Sequence, residues 1–330
     1  MSNERRIIRA PNHLGDLVLA LPALHAATPA DVVLPRTLAP LAALAKLDGR
    51  LIELEPGTAG FIRAARQLRH GRYPSGVLLT PSFSSALMFA LGGVARRRGL
   101  ATDGRRLLLQ DALARTAAAG RHRASLYYWL VTGTEPETPP EPTLSVPPEV
   151  RERWRRLAGP RVGHTIGLFP GSRASSRRWD PYRFAQLARR LAARGKRIIV
   201  FGGREDASTT RVVAGDVGFD AGGRTDLPLL AAGLAACDIL VSNDSGPLHL
   251  AAAVGTPTVS LWGAGDPAET GVLGAGHCML RRSDLPCVPC VKNECPRSGA
   301  GYLLPKAERE CLQLIEVPEV LAAVTRTPSK

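Results

Sequence analysis

An alternation that runs from end to end most restricts what this chain can fold into. Short, continuous apolar runs are separated by helix-like segments. In the first half the runs cover 5–10, 30–35, 51–56 and 75–81; in the second they cover 164–171, 196–203, 238–244 and 257–263. Helical segments at 15–27, 37–46 and 58–70, and then at 181–194, 205–214, 227–236 and 246–254, lie between them. A strand that is apolar at every position, rather than every second one, is buried on both faces, which marks a parallel sheet covered by helices. Each half is therefore expected to be a doubly wound, Rossmann-like α/β domain.

The stretch 135–149 holds six prolines and cannot be a regular helix. It reads as a semi-rigid connector, dividing the chain into domains at 1–145 and 150–330 that face each other across a cleft. A last helix-like stretch, 316–325, follows an irregular region at 264–305 and is a candidate to pack back on the N-terminal domain. At 330 residues, two cores of this size need no disulfides. No period of 20–50 residues repeats, which argues against a solenoid. No run of 18 apolar residues occurs, and the opening MSNERRIIRAPN has neither the apolar segment nor the cleavage site of a signal peptide. The expectation is a cytoplasmic chain, or one peripheral to a membrane.

Charge narrows the partners. The formal net charge is +14, carried by 38 Arg against 5 Lys. Guanidinium forks bind phosphates and carboxylates in pairs, although a general Arg, Ala, Gly and Pro bias would give the same excess. The charge is uneven: residues 60–125 hold twelve Arg and two acids, Asp103 and Asp111. That concentration points to a face opposite something anionic.

In parallel sheets ligands bind at the carboxyl ends of the strands, so a site is expected in the loops there. The first strand runs into Ala10-Pro11-Asn12-His13-Leu14-Gly15-Asp16. Asp16, at the start of the following helix, is either a helix cap, the commoner role for Asp at such a place, or a base facing the cleft. The loop lacks the G-x-G-x-x-G dinucleotide pattern. After 164–169 comes Pro170-Gly171-Ser172-Arg173-Ala174-Ser175-Ser176-Arg177-Arg178-Trp179-Asp180-Pro181. Its hydroxyls and guanidinium groups before a helix make an anion site, or else a solvated basic loop; Trp179 reads as core. After 238–241 comes Ser242-Asn243-Asp244-Ser245-Gly246-Pro247-Leu248-His249, where Ser245 and Gly246 offer backbone N–H groups to a phosphate and Asp244 can accept from sugar hydroxyls. His249 taken alone is a structural histidine. At 201–206, Gly202 and Gly203 allow close approach of a ligand, and Glu205 can reach ribose hydroxyls. Cys287, Cys290, Cys295 and Cys311 have the composition of a tetrahedral zinc site, with a spacing unlike the usual paired knuckles; reduced buried thiols and a redox-labile cluster are the alternatives.

Three of these segments, RAPNHLGDLVLALPAL, LFPGSRASSRRWDPYRFAQLARRL and ACDILVSNDSGPLHLAAAVGTPTVSLWG, together resemble glycosyltransferase family 9. Within it they are most similar to the lipopolysaccharide heptosyltransferases of type II. The Cys-rich CVPCVKNECP…ECL segment also recurs in that family. The resemblance runs in order from residue 6 to about 320. It implies a GT-B fold and inverting transfer of L-glycero-D-manno-heptose from ADP-heptose to the inner core of lipopolysaccharide. Carried onto this chain, it makes Asp16 the general base. Ser172 and, less well, Arg173 match the hydroxyl pair of the donor loop. Arg177 stands where family members commonly have Lys, and Asp244, Ser245, Gly246 and His249 match the nucleotide loop. Asn12-His13 replaces the more usual Asn-Trp, so acceptor contacts differ there.

The resemblance implies no cofactor for the chemistry, with structural Zn at the cysteines as a separate expectation. It also implies an acceptor rich in phosphate and carboxylate, suited to the basic stretch that includes Arg96, Arg97 and Arg98. The expected place is the inner face of the inner membrane, on its anionic surface. The alternatives are another GT-B nucleotide-sugar enzyme, with a different donor or an epimerase activity, and a basic nucleic-acid-binding protein. No RNP, KH, zinc-knuckle or helix-turn-helix pattern supports the last, so no nucleic-acid partner is expected.

Overall fold

The computed structural model describes residues 5–295 and 310–329. The chain divides into two compact units, 1–142 and 143–330, each built on one parallel sheet of six strands. In the first unit these are β1 (Arg6–Arg9), β2 (Ala30–Pro35), β3 (Leu51–Leu54), β4 (Ser75–Leu78), β5 (Arg96–Leu100) and β6 (Asp111–Leu113), in the order β3-β2-β1-β4-β5-β6. The second unit has β7 (Thr165–Phe169), β8 (Arg197–Val200), β9 (Gly218–Asp220), β10 (Ile239–Asn243), β11 (Thr258–Trp262) and β12 (His277–Arg281), ordered β12-β11-β10-β7-β8-β9. Counted from each unit's first strand, both orders are 3-2-1-4-5-6. The direction in which successive strands are added therefore reverses between β1 and β4 in one sheet and between β7 and β10 in the other, although all strands run parallel. Those switch points are where a doubly wound sheet opens a crevice for a ligand.

The eight apolar runs all became strands, and four further strands appear. β5, β6, β9 and β12 lie at or next to the sheet edges. An edge strand has one neighbour and an open side, so it needs no continuous apolar run. β5 reads RRRGL and β12 reads HCMLR, neither of which looks like a buried strand. β12 and the turn of helix Pro267–Thr270 also correct the expectation that 264–305 is irregular; the rest of that stretch lies partly outside the described residues.

Each unit has its own core. In the first, Ile7, Val33, Ile52 and Leu78 of the sheet meet Leu68, Met88 and Phe89 of the helices above it. In the second, Ile166, Leu168, Val241 and Leu261 meet Phe184, Leu187 and Trp179, and the indole of Trp179 is core, as expected. The closing helix, Val317–Arg326, contributes Val317, Val320, Leu321 and Val324 to this second core. A glycine matters structurally at Gly76 of β4. A Cβ there would come within 2.9 Å of Ile7 and of Val94 and 2.8 Å of Phe89, so the sheet and the helix Phe83–Leu91 close only over a bare Cα.

Candidate active site

The first switch point carries the opening loop. β1 ends on Arg9, which is 3% exposed. Its guanidinium donates to Ala10 O at 2.5 Å and to Val33 O at 3.3 Å, and it also holds the Asn12 side-chain oxygen. Burial lowers the pKa of Arg9 to about 10, and among the described residues no carboxylate pairs with it. The buried cation ties the loop to two strands and leaves Asn12 and His13 exposed at its crest. The helix Leu14–Ala26 then starts with His13 as its N-cap.

Asp16 is therefore not a cap. It is the third residue of the helix, half-buried, where the helix dipole favours a carboxylate. Its partner is Tyr127, on the helix Arg123–Thr132, which packs along Leu14–Ala26. Tyr127 Oη donates to Asp16 Oδ1 at 3.1 Å. Burial, and then the charge of Asp16, push the Tyr127 hydroxyl well above its ordinary pKa, and Arg123 acts against that shift and hydrogen-bonds the same hydroxyl. Tyr127 thus remains a protonated donor, ordered from both sides. Sequence reasoning missed it. The available signal was a phenol within the apolar helix RASLYYWLVT, since a buried Tyr hydroxyl needs a partner.

The arginines proposed for the acceptor are not one patch. Arg96, Arg97 and Arg98 occupy the first half of β5, at the end of the strand opposite Leu100. Only Arg96 is exposed. Arg97 donates to Leu108 O at 2.6 Å and to Val94 O, and burial lowers its pKa. Arg98 pairs with Asp111 at 2.7 Å and lies 5.6 Å from the Trp129 ring centre. At the carboxyl end of the sheet Arg105 is buried, donating to Thr80 O at 2.6 Å and Leu100 O at 2.9 Å, and so ties the loops after β4 and β5 together.

The second switch point brings the two donor-type loops into contact. Asn243, fully buried, donates from Nδ2 to Pro170 O at 2.7 Å and accepts from Trp179 N at 3.0 Å, joining both ends of the β7 loop to the end of β10. Ser172 Oγ donates to Asp244 O at 3.1 Å. Arg177 Nη1 sits 3.1 Å from Asp244 Oδ2, and the buried Arg177 Nε has no hydrogen-bond partner among the described residues. Ser245 stands at the N-cap position of the helix Gly246–Ala253 without a side-chain cap bond; Pro247 has no amide hydrogen and Leu248 N donates to Ser245 O at 3.2 Å, which leaves the Gly246 amide at the helix start, and His249 is buried in the first turn. Arg173 is exposed beside this loop.

The β8 loop joins the same crevice through a different acid from the one expected. Glu205 is exposed. Asp206 accepts from Gly203 N at 3.1 Å, and burial raises its carboxyl above the ordinary range. A Cβ on Gly171 would come within 2.5 Å of Asp206 Oδ2, so the bare glycine lets the two loops touch.

Cys287, Cys290, Cys295 and Cys311 are all half-buried. Burial, followed by the nearby Cys287, Cys295 and Cys290, pushes Cys311 up to about 11. The thiols share a neighbourhood, but among the described residues no three His, Cys, Asp or Glu side chains converge as a metal shell. Their loop also braces the donor loop: Ser176 N donates to Asn293 O at 3.1 Å and Ser176 Oγ to Lys292 O at 2.5 Å. No described helix is long and apolar enough to cross a membrane.

Comparison with known proteins bears on the family and the fold. The model of glycosyltransferase family 9 (heptosyltransferase) matches residues 61–300. Lipopolysaccharide heptosyltransferase 2 of Escherichia coli K12 is 26% identical over 293 residues, covering 80% of this chain and 84% of that protein. Lipooligosaccharide heptosyltransferase 2 of Haemophilus influenzae is 26% identical over 306 residues, covering 83% and 88%. The structure of E. coli ADP-heptose lps heptosyltransferase II superposes with a TM-score of 0.81 at 23% identity, over 97% of both chains. The two α/β domains expected from the alternation, and the GT-B fold implied by the resemblance, are what is found.

Proposed function

The chain belongs to glycosyltransferase family 9, and from that premise we propose that it transfers L-glycero-D-manno-heptose from ADP-heptose to the inner core of lipopolysaccharide. The observation that carries the reading is the joined crevice of the second unit, where Asn243, Ser172 and Arg177 lock the β7 and β10 loops around a helix N-terminus. A diphosphate needs such a place: open amides at a helix start and a guanidinium with donors to spare.

In this reading the second unit holds the donor and the first unit the acceptor. Asp16 takes the proton of the acceptor hydroxyl as its oxygen bonds to the anomeric carbon. The bond from that carbon to the β-phosphate oxygen breaks with its electron pair, ADP leaves, and the configuration inverts. Charge grows on the departing phosphate, where Arg177 and the amides of Ser245 and Gly246 oppose it; such a donor is typically worth about 10²–10³ in rate. Tyr127 keeps the Asp16 carboxylate oriented, and the buried Arg9 keeps Asn12 at the crest of the acceptor loop. The displacement balances without a cofactor, and no step runs through a metal. The acceptor is membrane-linked, so the enzyme works as a peripheral protein at the cytoplasmic face of the inner membrane.

A donor screen tests the reading. ADP-heptose should support transfer to a defined inner-core acceptor, and UDP- and GDP-sugars should not. Release of an epimerised sugar without acceptor, or transfer from another nucleotide sugar alone, would overturn it.

A further inference from the structure

We infer that the helices Gly57–Gly71 and Phe83–Leu91 and the turn Arg105–Leu108 form a surface that seats on an anionic lipid bilayer. The assignment rests on the reading above only in taking a membrane as the partner; the surface itself is read from exposure and charge.

Phe83, Leu87 and Leu91 are spaced at i, i+4 and i+8, so they lie along one line of their helix, about 12 Å long. Phe83 is 43% exposed and Leu91 55%, with Leu87 between them partly exposed. A packed helix normally turns such a line inward. Leu107, 94% exposed, stands on the turn Arg105–Leu108, which packs against this helix. Asp103 Oδ2 accepts from Phe83 N at 2.7 Å, which fastens that turn to the start of the helix. Gly57–Gly71 runs alongside and adds Ile62, 43% exposed.

Cations rim the apolar line. Arg66 and Arg69 stand exposed on the adjacent helix, Arg96 near the Leu91 end and Arg106 beside Leu107. None of these four is in an ion pair among the described residues. Between Glu55 and Asp103 the sequence has seven arginines and no acid. A stretch with exposed guanidinium groups and no acid complements an anionic partner. Apolar side chains flanked closely by unpaired guanidinium groups suit an interface where the former enter the acyl boundary and the latter meet phosphates. Phe83 and Leu107 also lie at the carboxyl edge of the first sheet, beside the loops after β4 and β5. A lipid-linked acceptor would thus arrive at the edge where its saccharide is needed.

The test is flotation of the full chain with vesicles of phosphatidylethanolamine, with and without phosphatidylglycerol. The chain should float with the anionic vesicles, and much less with the neutral ones or at high salt. The double variant Phe83→Ser, Leu107→Ser should lower vesicle partitioning by at least about tenfold. The double variant Arg66→Glu, Arg69→Glu should do the same. Both should transfer at wild-type rate to a water-soluble, lipid-free acceptor. Flotation equal to wild type in both variants overturns the inference and leaves the reading of function standing. So does concentration-dependent self-association that both variants abolish. Normal vesicle binding in a chain that transfers from no donor overturns that reading and not the inference.

Discussion

Tyr127 Oη and Asp16 Oδ1 stand 3.1 Å apart although 111 residues of chain separate them. The pair exists because the helices Leu14–Ala26 and Arg123–Thr132 pack side by side. Asp16 has helical backbone and a buried donor, so its carboxylate is held in one orientation. That is the condition a general base must meet before its basicity matters.

Tyr127→Phe removes the donor and keeps the ring. We expect kcat to fall about tenfold, as loss of one hydrogen bond to a charged group suggests, with the donor KM unchanged. The thermal midpoint should move little. Steady-state kinetics with varied donor measure the split; a variant changed only in KM would remove Tyr127 from the role of positioning residue.

Asp16→Asn keeps the shape and removes the base. Turnover should drop by at least about 10²-fold while ADP binding, read by calorimetry, stays near wild type. Wild-type turnover in this variant would falsify the general-base assignment.

Arg177 and Asp244 can be separated by a cycle. The Asp244 side chain is 4% exposed and Arg177 26%, so Arg177→Ala leaves a buried carboxylate short of its counter-charge. We expect a loss of roughly 1–3 kcal/mol, less than for a fully buried pair because water can enter beside Arg177. Turnover should also fall about 10²–10³-fold. Adding Asp244→Asn should restore stability without restoring turnover, and Arg177→Lys should keep most of both. Recovery of turnover in the double variant would mean that Arg177 serves Asp244 alone.

Asn243→Ala removes the side chain that joins Pro170 O to Trp179 N. Two buried backbone groups lose their partner, at about 1–3 kcal/mol each. Thermal unfolding should shift down by several degrees, and ADP should bind more weakly because the two loops are no longer locked together. A large shift in stability with unchanged ADP affinity would separate this asparagine from the nucleotide site.

Cys311 predicts a loss of stability in alkali. Its thiol moves from an ordinary 9.0 up to about 11, so the folded chain holds that proton more tightly than the unfolded one. The stabilisation is complete below about pH 9 and is lost as pH rises towards 11. Urea unfolding between pH 8 and 10.5 should show this slope, and Cys311→Ser should flatten it. An unchanged slope in the variant would assign the alkaline loss to another group, with Tyr127 the next candidate.

What the sequence determined by itself is the architecture and its punctuation. Continuous apolar runs between helical segments demand parallel sheets, a proline-dense stretch marks the junction, and the loops carrying Asp16, Arg177, Asp244 and Ser245 were recognisable because turn, cap and anion-binding chemistry is local. The edge strands β6, β9 and β12 were not visible, since one open side releases them from the apolar pattern, and neither was β5, next to the edge, which opens on three arginines. Tertiary structure alone decided what each polar group meets. It put Tyr127 on Asp16, Asn243 between two loops and Asp206 rather than Glu205 against Gly171, and it tied Arg97 and Arg98 to nearby protein groups instead of a ligand face. The physical reason is range: periodicity records which face of an element is buried, whereas a hydrogen bond depends on which distant element arrives beside it, and that follows only when the whole core closes.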